Sequence, residues 1–330
     1  MTPPRRIPGS HPRLPAWRAA VGAPVVLRGA AAPGGDGARR LAVATWNVHV
    51  GGGDLPRFLR DLRGGALTAD RPDDAIVLLQ EVHRTDDALP AFAAHPHARG
   101  AARIEAAPPA GARIDVVEVA RRVGDVDLFY APSMRNGTAD AEQPPEDRGN
   151  AIVSTLPLRD LVEIELPAEV QRRVAVGAAL PVAPEADAAG PALAVASAHL
   201  DTFDWTQLHR NLGAFRAVQA EALARGLAAW RGGPAILGGG FNTWARGTRE
   251  PAVRLRARAF GPLAPGSSRP TSPLPGPLPA RRIDLFFVRG LAEDAFRYER
   301  VADRYGSDHH PLVGTLRVRA TPGAAPREGV

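Results

Sequence analysis

Six short runs of aliphatic and β-branched residues stand out along the chain, and most stop at a polar group. They are LAVATW (41–46) before Asn47, AIVLLQ (75–80) before Glu81, NAIVST (150–155), ALAVASA (192–198) before His199, PAILG (234–238) before Gly240 and Asn242, and RIDLFFV (282–288) around Asp284. Their apolar residues are consecutive rather than alternating. That pattern predicts strands buried on both faces, and therefore sheets covered by other layers. Most connections between the runs read as loops, with few helix-length crossovers.

The clearest helix is predicted over 207–230. There Leu208, Leu212, Phe215, Val218, Gln219, Ala222, Leu223 and Leu227 follow the spacing of an amphipathic stripe, with Arg210, Arg216 and Arg225 on its wet side. A shorter helix is predicted over 55–62. Composition marks three segments as loops: 133–147, 181–191 and the proline-rich 261–280. Residues 1–38 read as a loosely ordered N-terminal extension, 39–320 as one domain and 321–330 as a flexible tail. No internal repeat or break in composition divides the domain.

The chain has 330 residues, 45% of them hydrophobic, enough to bury a large core. Its 33 prolines and 34 glycines fit many turns. The net charge of +6 comes from arginine alone, because the sequence contains no lysine. Arginine suits phosphate recognition through its planar fork, but an arginine- and alanine-rich composition also follows from a GC-rich genome, so charge by itself names no partner. The absence of cysteine excludes disulfides, zinc-thiolate sites and cysteine nucleophiles. No apolar run is long enough to cross a membrane as a helix. The segment around Val21 to Leu27 makes a poor signal peptide, because Pro24 and Arg28 interrupt it. A cytoplasmic, monomeric protein is expected, with export left open.

Singly, each polar strand end has a structural explanation such as a turn cap or a solvated terminus. Together Asn47, Glu81, His199 with Asp201, Asn242, Asp284 and the run Ser307-Asp308-His309-His310-Pro311 form an oxygen-rich set with a few imidazoles. Carboxylates and an amide without thiols suit a hard cation such as Mg²⁺ or Mn²⁺. Histidines can orient or move protons beside a phosphoryl group, each ring held by a carboxylate. The chemistry such a set serves is phosphoester hydrolysis.

The segments TWNVHVGGG, LLQEVHR, RGNAIVSTLPL, ASAHLDTF, GGGFNTW, RRIDLFFVRG and GSDHHPLV, in this order from about Leu41 to Val318, resemble the endonuclease/exonuclease/phosphatase superfamily with its deoxyribonuclease I-like fold. The resemblance implies an α/β fold: a four-layer α/β sandwich of two mixed, mostly antiparallel β-sheets packed together and flanked by helices. It implies Glu81 as the principal metal ligand, with Asn47 and Asp308 completing or supporting the metal site. His199 would contact the scissile phosphate and Asn242 the phosphoryl oxygens. His309, backed by Asp284, would be the other phosphate-side histidine. His310 fills a variable position and is not expected to act. Asp201 and Asp204 are expected to end a strand and cap a helix near Thr206.

One position departs from the pattern. The family's Gly-Asp-Phe-Asn stretch here reads Gly239-Gly240-Phe241-Asn242, so the carboxylate beside the attacking water is missing. Three explanations stand: a degenerate member that binds phosphate ligands, an active enzyme with a substitute base such as His309, Asp201 or an ion-bound hydroxide, or an introduced change. The function expected is therefore a metal-dependent phosphoesterase with reduced or altered catalysis, or else a binding module without turnover. The resemblance leaves DNA, RNA, inositol phosphates and sphingomyelin open as substrates. Arg135, Arg148, Arg269, Arg281 and Arg282 are candidates to hold a nucleic-acid backbone at the rim.

Overall fold

The computed structural model describes residues 3–29, 37–89, 102–103, 113–136, 145–168, 172–185, 191–201, 212–243, 251–261, 263–273 and 280–321. In chain order the elements begin β1 (Arg5–Ile7), α1 (Leu14–Ala19), β2 (Val25–Leu27), β3 (Arg39–Asn47), α2 (Leu55–Gly64), β4 (Asp74–Thr85) and β5 (Ala102–Arg103). Next come α3 (Val116–Val123), β6 (Asp127–Asn136), β7 (Glu146–Ser154), β8 (Arg159–Glu165), β9 (Val174–Ala179), β10 (Val182–Pro184) and β11 (Ala194–His199). The chain continues with α4 (Leu212–Trp230), β12 (Ala235–Gly240), α5 (Pro251–Arg258), β13 (Asp284–Arg289), β14 (Arg297–Arg300) and β15 (Leu312–Ala320).

These strands form two sheets. One has the order β1-β8-β9-β11-β12-β13; the other runs β10-β15-β3-β4-β7-β6-β2, with β14 beside β15 and β5 beside β6. Both are mixed and mostly antiparallel, with parallel pairs at β1/β8, β11/β12, β3/β4 and β5/β6. Every predicted run became a strand, and the layering explains why those runs do not alternate. On β3, Leu41 and Val43 point between the sheets toward Val195, Ile236 and Phe286, while Ala42, Ala44 and Trp46 face Phe58 and Leu62 of α2. On the far side, Leu223 and Leu227 of α4 and Leu255 of α5 cover Ala196, Leu237 and Phe287. Helix, sheet, sheet and helix give the expected four layers.

Several local expectations need correction. The segment called a loop from 133 carries the end of β6 to Asn136, and β7 starts at Glu146; 137–144 lie outside the described residues. Within 181–191, Val182–Pro184 pair with β15. The described part of 261–280 holds only isolated bridges, as its prolines require. Helix α4 is described from Leu212, and its buried face is rotated from the predicted one: Val218 is 47% exposed whereas Arg216 is buried. Small alanines at 217, 220 and 224 make that contact face, which a count of large apolar residues misses.

The N-terminal segment is not a loose extension. Strand β1 pairs in parallel with β8, β2 pairs with β6, and Trp17 is fully buried with Leu14, Ala20 and Ala168. Arg18 bonds to the buried Glu165. Too short to show periodicity, these pieces fold by adding to existing sheet edges. Among the described residues no helix is long and apolar enough to cross a membrane.

Candidate active site

The polar strand ends meet at one end of the sandwich. Across three adjacent strands, His199, Gly240 and Asp284 stand in register as consecutive partners. Asn47 ends β3 in the opposite sheet, and Glu81 lies on the neighbouring strand β4.

Glu81 is delivered by a break in the ladder. The pairing of β4 with β7 shifts between Leu79 and Val82, and Glu81 takes a φ of 53°, a left-handed conformation that costs a side-chain-bearing residue energy. The bulge turns the carboxylate toward the other sheet, where its Oε1 lies 3.5 Å from His199 Nδ1. Just before it, buried Gln80 clasps both sheets: its amide donates to Thr45 Oγ1 (3.1 Å), Leu78 O (2.9 Å) and Ser197 Oγ (2.9 Å).

Asp284 and His309 form the tightest pair, 2.7 Å between Oδ2 and Nδ1, and both are buried. Burial disfavours the charged ring, but the Asp284 carboxylate, with Asp308 and Glu81 behind it, outweighs that and pushes His309 up to about 9. At neutral pH this ring is an imidazolium. Its backbone is pinned as well: His309 N donates to Ser307 Oγ, Ser307 Oγ donates to Asn47 O, and Trp46 Nε1 donates to His309 O. Asp308 Oδ1 lies 4.0 Å from His309 Nε2 and 3.8 Å from His49 Nδ1. The adjacent His310 turns away and bonds to Val301 O and Arg304 instead.

Asn242, also left-handed with φ 50°, donates from Nδ2 to Leu200 O and Asp201 O. Asp201 accepts from Arg173 Nε at 2.9 Å. The capping role expected for Asp201 and Asp204 falls on 202–211, outside the described residues. Sequence reasoning missed Arg173: its buried guanidinium also lies 3.4 Å from His199 Nδ1, while its Nη2 is buried without a hydrogen-bond partner among the described residues. Donation from Arg173 would make His199 Nδ1 the acceptor and leave the proton on Nε2. Nothing in the dipeptide Arg172-Arg173 announces this; its first arginine binds Glu165 and Pro132 O instead. Arg135 and Arg148, proposed for the rim, are buried within β6 and β7.

A Cβ built on Gly240 would lie 2.9 Å from His199 Cδ2, 3.3 Å from His199 Nε2 and 3.4 Å from Asp284 Oδ1. That oxygen is buried and has no hydrogen-bond partner among the described residues. Position 240 therefore points between the two groups. Among the described residues no three acidic or imidazole side chains are gathered into a cage for an ion. The donors present still suit a hard divalent cation, which binds through one or two carboxylates and completes its shell with water and substrate oxygens. Glu81 and the half-exposed Asp308, with the amide of Asn47, are of that kind.

Residues 44–309 match the model of the Endonuclease/Exonuclease/phosphatase family. A search of curated proteins found no match. Among solved structures, the chain is similar to an endonuclease/exonuclease/phosphatase from Beutenbergia cavernae, with 22% identity, 86% of this chain and 72% of that one covered, and a TM-score of 0.55. It is similar to a family protein from Leptotrichia buccalis at 14% identity, covering 83% and 98%, with a TM-score of 0.55. Sphingomyelinase C from Streptomyces griseocarneus matches at 15% identity, covering 84% and 99%, with a TM-score of 0.50. These likenesses agree with the fold, and the match over most of the length carries the assignment: the chain belongs to the Endonuclease/Exonuclease/phosphatase family.

Proposed function

We propose that the chain is a divalent-metal-dependent phosphoesterase whose turnover is lowered by the glycine at position 240. The observation that carries this reading is the convergence of Glu81 and His199 from facing sheets with the Asp284–His309 pair. A cation held by Glu81, with Asn47 and Asp308, would polarise a phosphoryl oxygen. The protein's own groups supply the rest. His309, charged at neutral pH and fixed by Asp284, donates to phosphoryl oxygen and stabilises its growing negative charge. With Arg173 donating to its Nδ1, His199 would carry its proton on Nε2 and serve as a second donor.

A general base is the scarce part. His309 is already protonated, and Asp201 is tied to Arg173, so both are poor substitutes. A carboxylate restored at 240 would enter beside Asp284 Oδ1. Two carboxylates so close raise the pKa of one of them, which suits a base working near neutral pH. The same scarcity favours a second reading, a phosphate-binding module without turnover. Hydrolysis of bis(p-nitrophenyl) phosphate with added Mg²⁺ or Mn²⁺ tests the proposal: metal-dependent release of nitrophenol that disappears in Glu81→Gln is expected. Release that survives Glu81→Gln would overturn the site assignment, and no release with retained binding of inorganic phosphate would favour the second reading.

A further inference from the structure

Many described arginines in this chain meet a carboxylate, as Arg39 does Asp74, Arg231 Asp160 and Arg254 Glu221. Beside the loop that carries His309, five do not. Arg269, Arg281, Arg282, Arg300 and Arg304 have no acidic group within ion-pair distance among the described residues, and all are exposed or half-buried. Two nearby acids are committed elsewhere: Asp303 pairs with Arg57 and Asp294 with Arg297. Glu299 lies between Tyr298 and Arg300 on β14, and neighbours along a strand point to opposite faces.

Backbone pairing brings together the segments that carry the five. Ser267 N bonds to Tyr298 O, Arg282 reaches Ser267 O, and Ser272 bridges Arg281. His310 N bonds to Thr271 O, and Thr271 Oγ1 accepts from the backbone of Asp284, so the surface is continuous with the catalytic pair. The charges feel one another: burial, then Arg269 and Arg304, lower Arg300. His310 does not relieve them, since Arg304 donates to its Nε2. An uncompensated cluster of this kind is a standing electrostatic cost, and a polyanion that displaces its counterions removes it.

We propose that Arg269, Arg281, Arg282, Arg300 and Arg304 form a track for a phosphate backbone that leads a nucleic-acid strand to His309. The inference rests on the phosphoesterase reading for its catalytic end, though not for its binding. A membrane is the poorer occupant, because the one large exposed hydrophobic among the described residues, Val218, lies on α4.

The test is binding of fluorescent DNA and RNA oligonucleotides, single- and double-stranded, and of phosphatidylserine vesicles, from about 50 to about 200 mM salt. Wild type is expected to bind an oligonucleotide with a steep salt dependence, and the triple variant Arg269→Gln/Arg300→Gln/Arg304→Gln to lose about one unit of log–log salt slope per arginine removed. The same three changed to Lys should keep the slope, and Arg225→Gln on α4 should leave binding unchanged. Equal slopes for wild type and the folded triple variant, or a preference for vesicles over every oligonucleotide, would overturn the track. Turnover of the small reporter is read separately: track-dependent binding without turnover leaves the track standing and sinks the phosphoesterase reading, and turnover without such binding does the reverse.

Discussion

Gly238, Gly239 and Gly240 are neighbours with different reasons for lacking a side chain. At Gly239 the φ of +154° and a Cβ position 1.8 Å from Ala198 O exclude any other residue. Gly238 packs against Thr45 between the sheets, where a Cβ would come within 2.8 Å. Gly240 has an ordinary backbone, and a side chain there would meet the edge of the His199 ring and Asp284 Oδ1. Gly239→Ala is therefore expected to cost more than about 2 kcal/mol in denaturant melts, and Gly240→Ala within about 1 kcal/mol. A second residue-scale expectation concerns His309. Its folded pKa stands above the ordinary value, so its contribution to stability is complete below about 6.5 and fades as pH rises through about 9. In Asp284→Asn, NMR titration should find the ring well below 9. Motif ends made these residues legible in the sequence, whereas Arg173 was not, because its role depends on which way one of two adjacent arginines turns.

On strand β4 the bulge places function and stability in opposition. Glu81 in a left-handed conformation costs roughly 1–3 kcal/mol, so Glu81→Gly is expected to hold or raise the melting temperature while abolishing metal-dependent hydrolysis; a lower melting temperature would count against strain at this point. Gln80 works the other way, with three hydrogen bonds, the one to Ser197 joining the two sheets. Gln80→Ala should cost about 2–4 kcal/mol, because it leaves a gap and takes the partner from the Thr45 hydroxyl. Strands were readable because burial on both faces writes unbroken apolar runs. The bulge was not, since an extra residue in a ladder leaves no mark in hydrophobicity, and α4 was read only in part because alanines share its contact face with Leu223 and Leu227.

For the whole molecule, the four layers are those the family resemblance implied, but the place of the N-terminal segment was not legible. Its strands have three residues each, too few for a pattern, and their partners lie more than a hundred residues away. The segment ties into the core through Arg18 and Glu165. Burial pushes that carboxyl up, but bonds from Arg18 and the charge of Arg172 outweigh it and hold Glu165 at about 2. A depressed carboxylate stabilises the fold above its ordinary range and ceases to as pH falls through about 2. Removing residues 1–29 should expose two sheet edges and lower the melting temperature, with a loss that shrinks in acid; an unchanged melt at neutral pH would show the segment to be dispensable.

These scales meet at the side-chain position between His199 and Asp284. The most direct measurement is the initial rate of bis(p-nitrophenyl) phosphate hydrolysis with Mg²⁺ for wild type and Gly240→Asp side by side. The account predicts that the variant is faster by about 10²-fold or more, the worth of a positioned base. A folded Gly240→Asp protein no faster than wild type would contradict it.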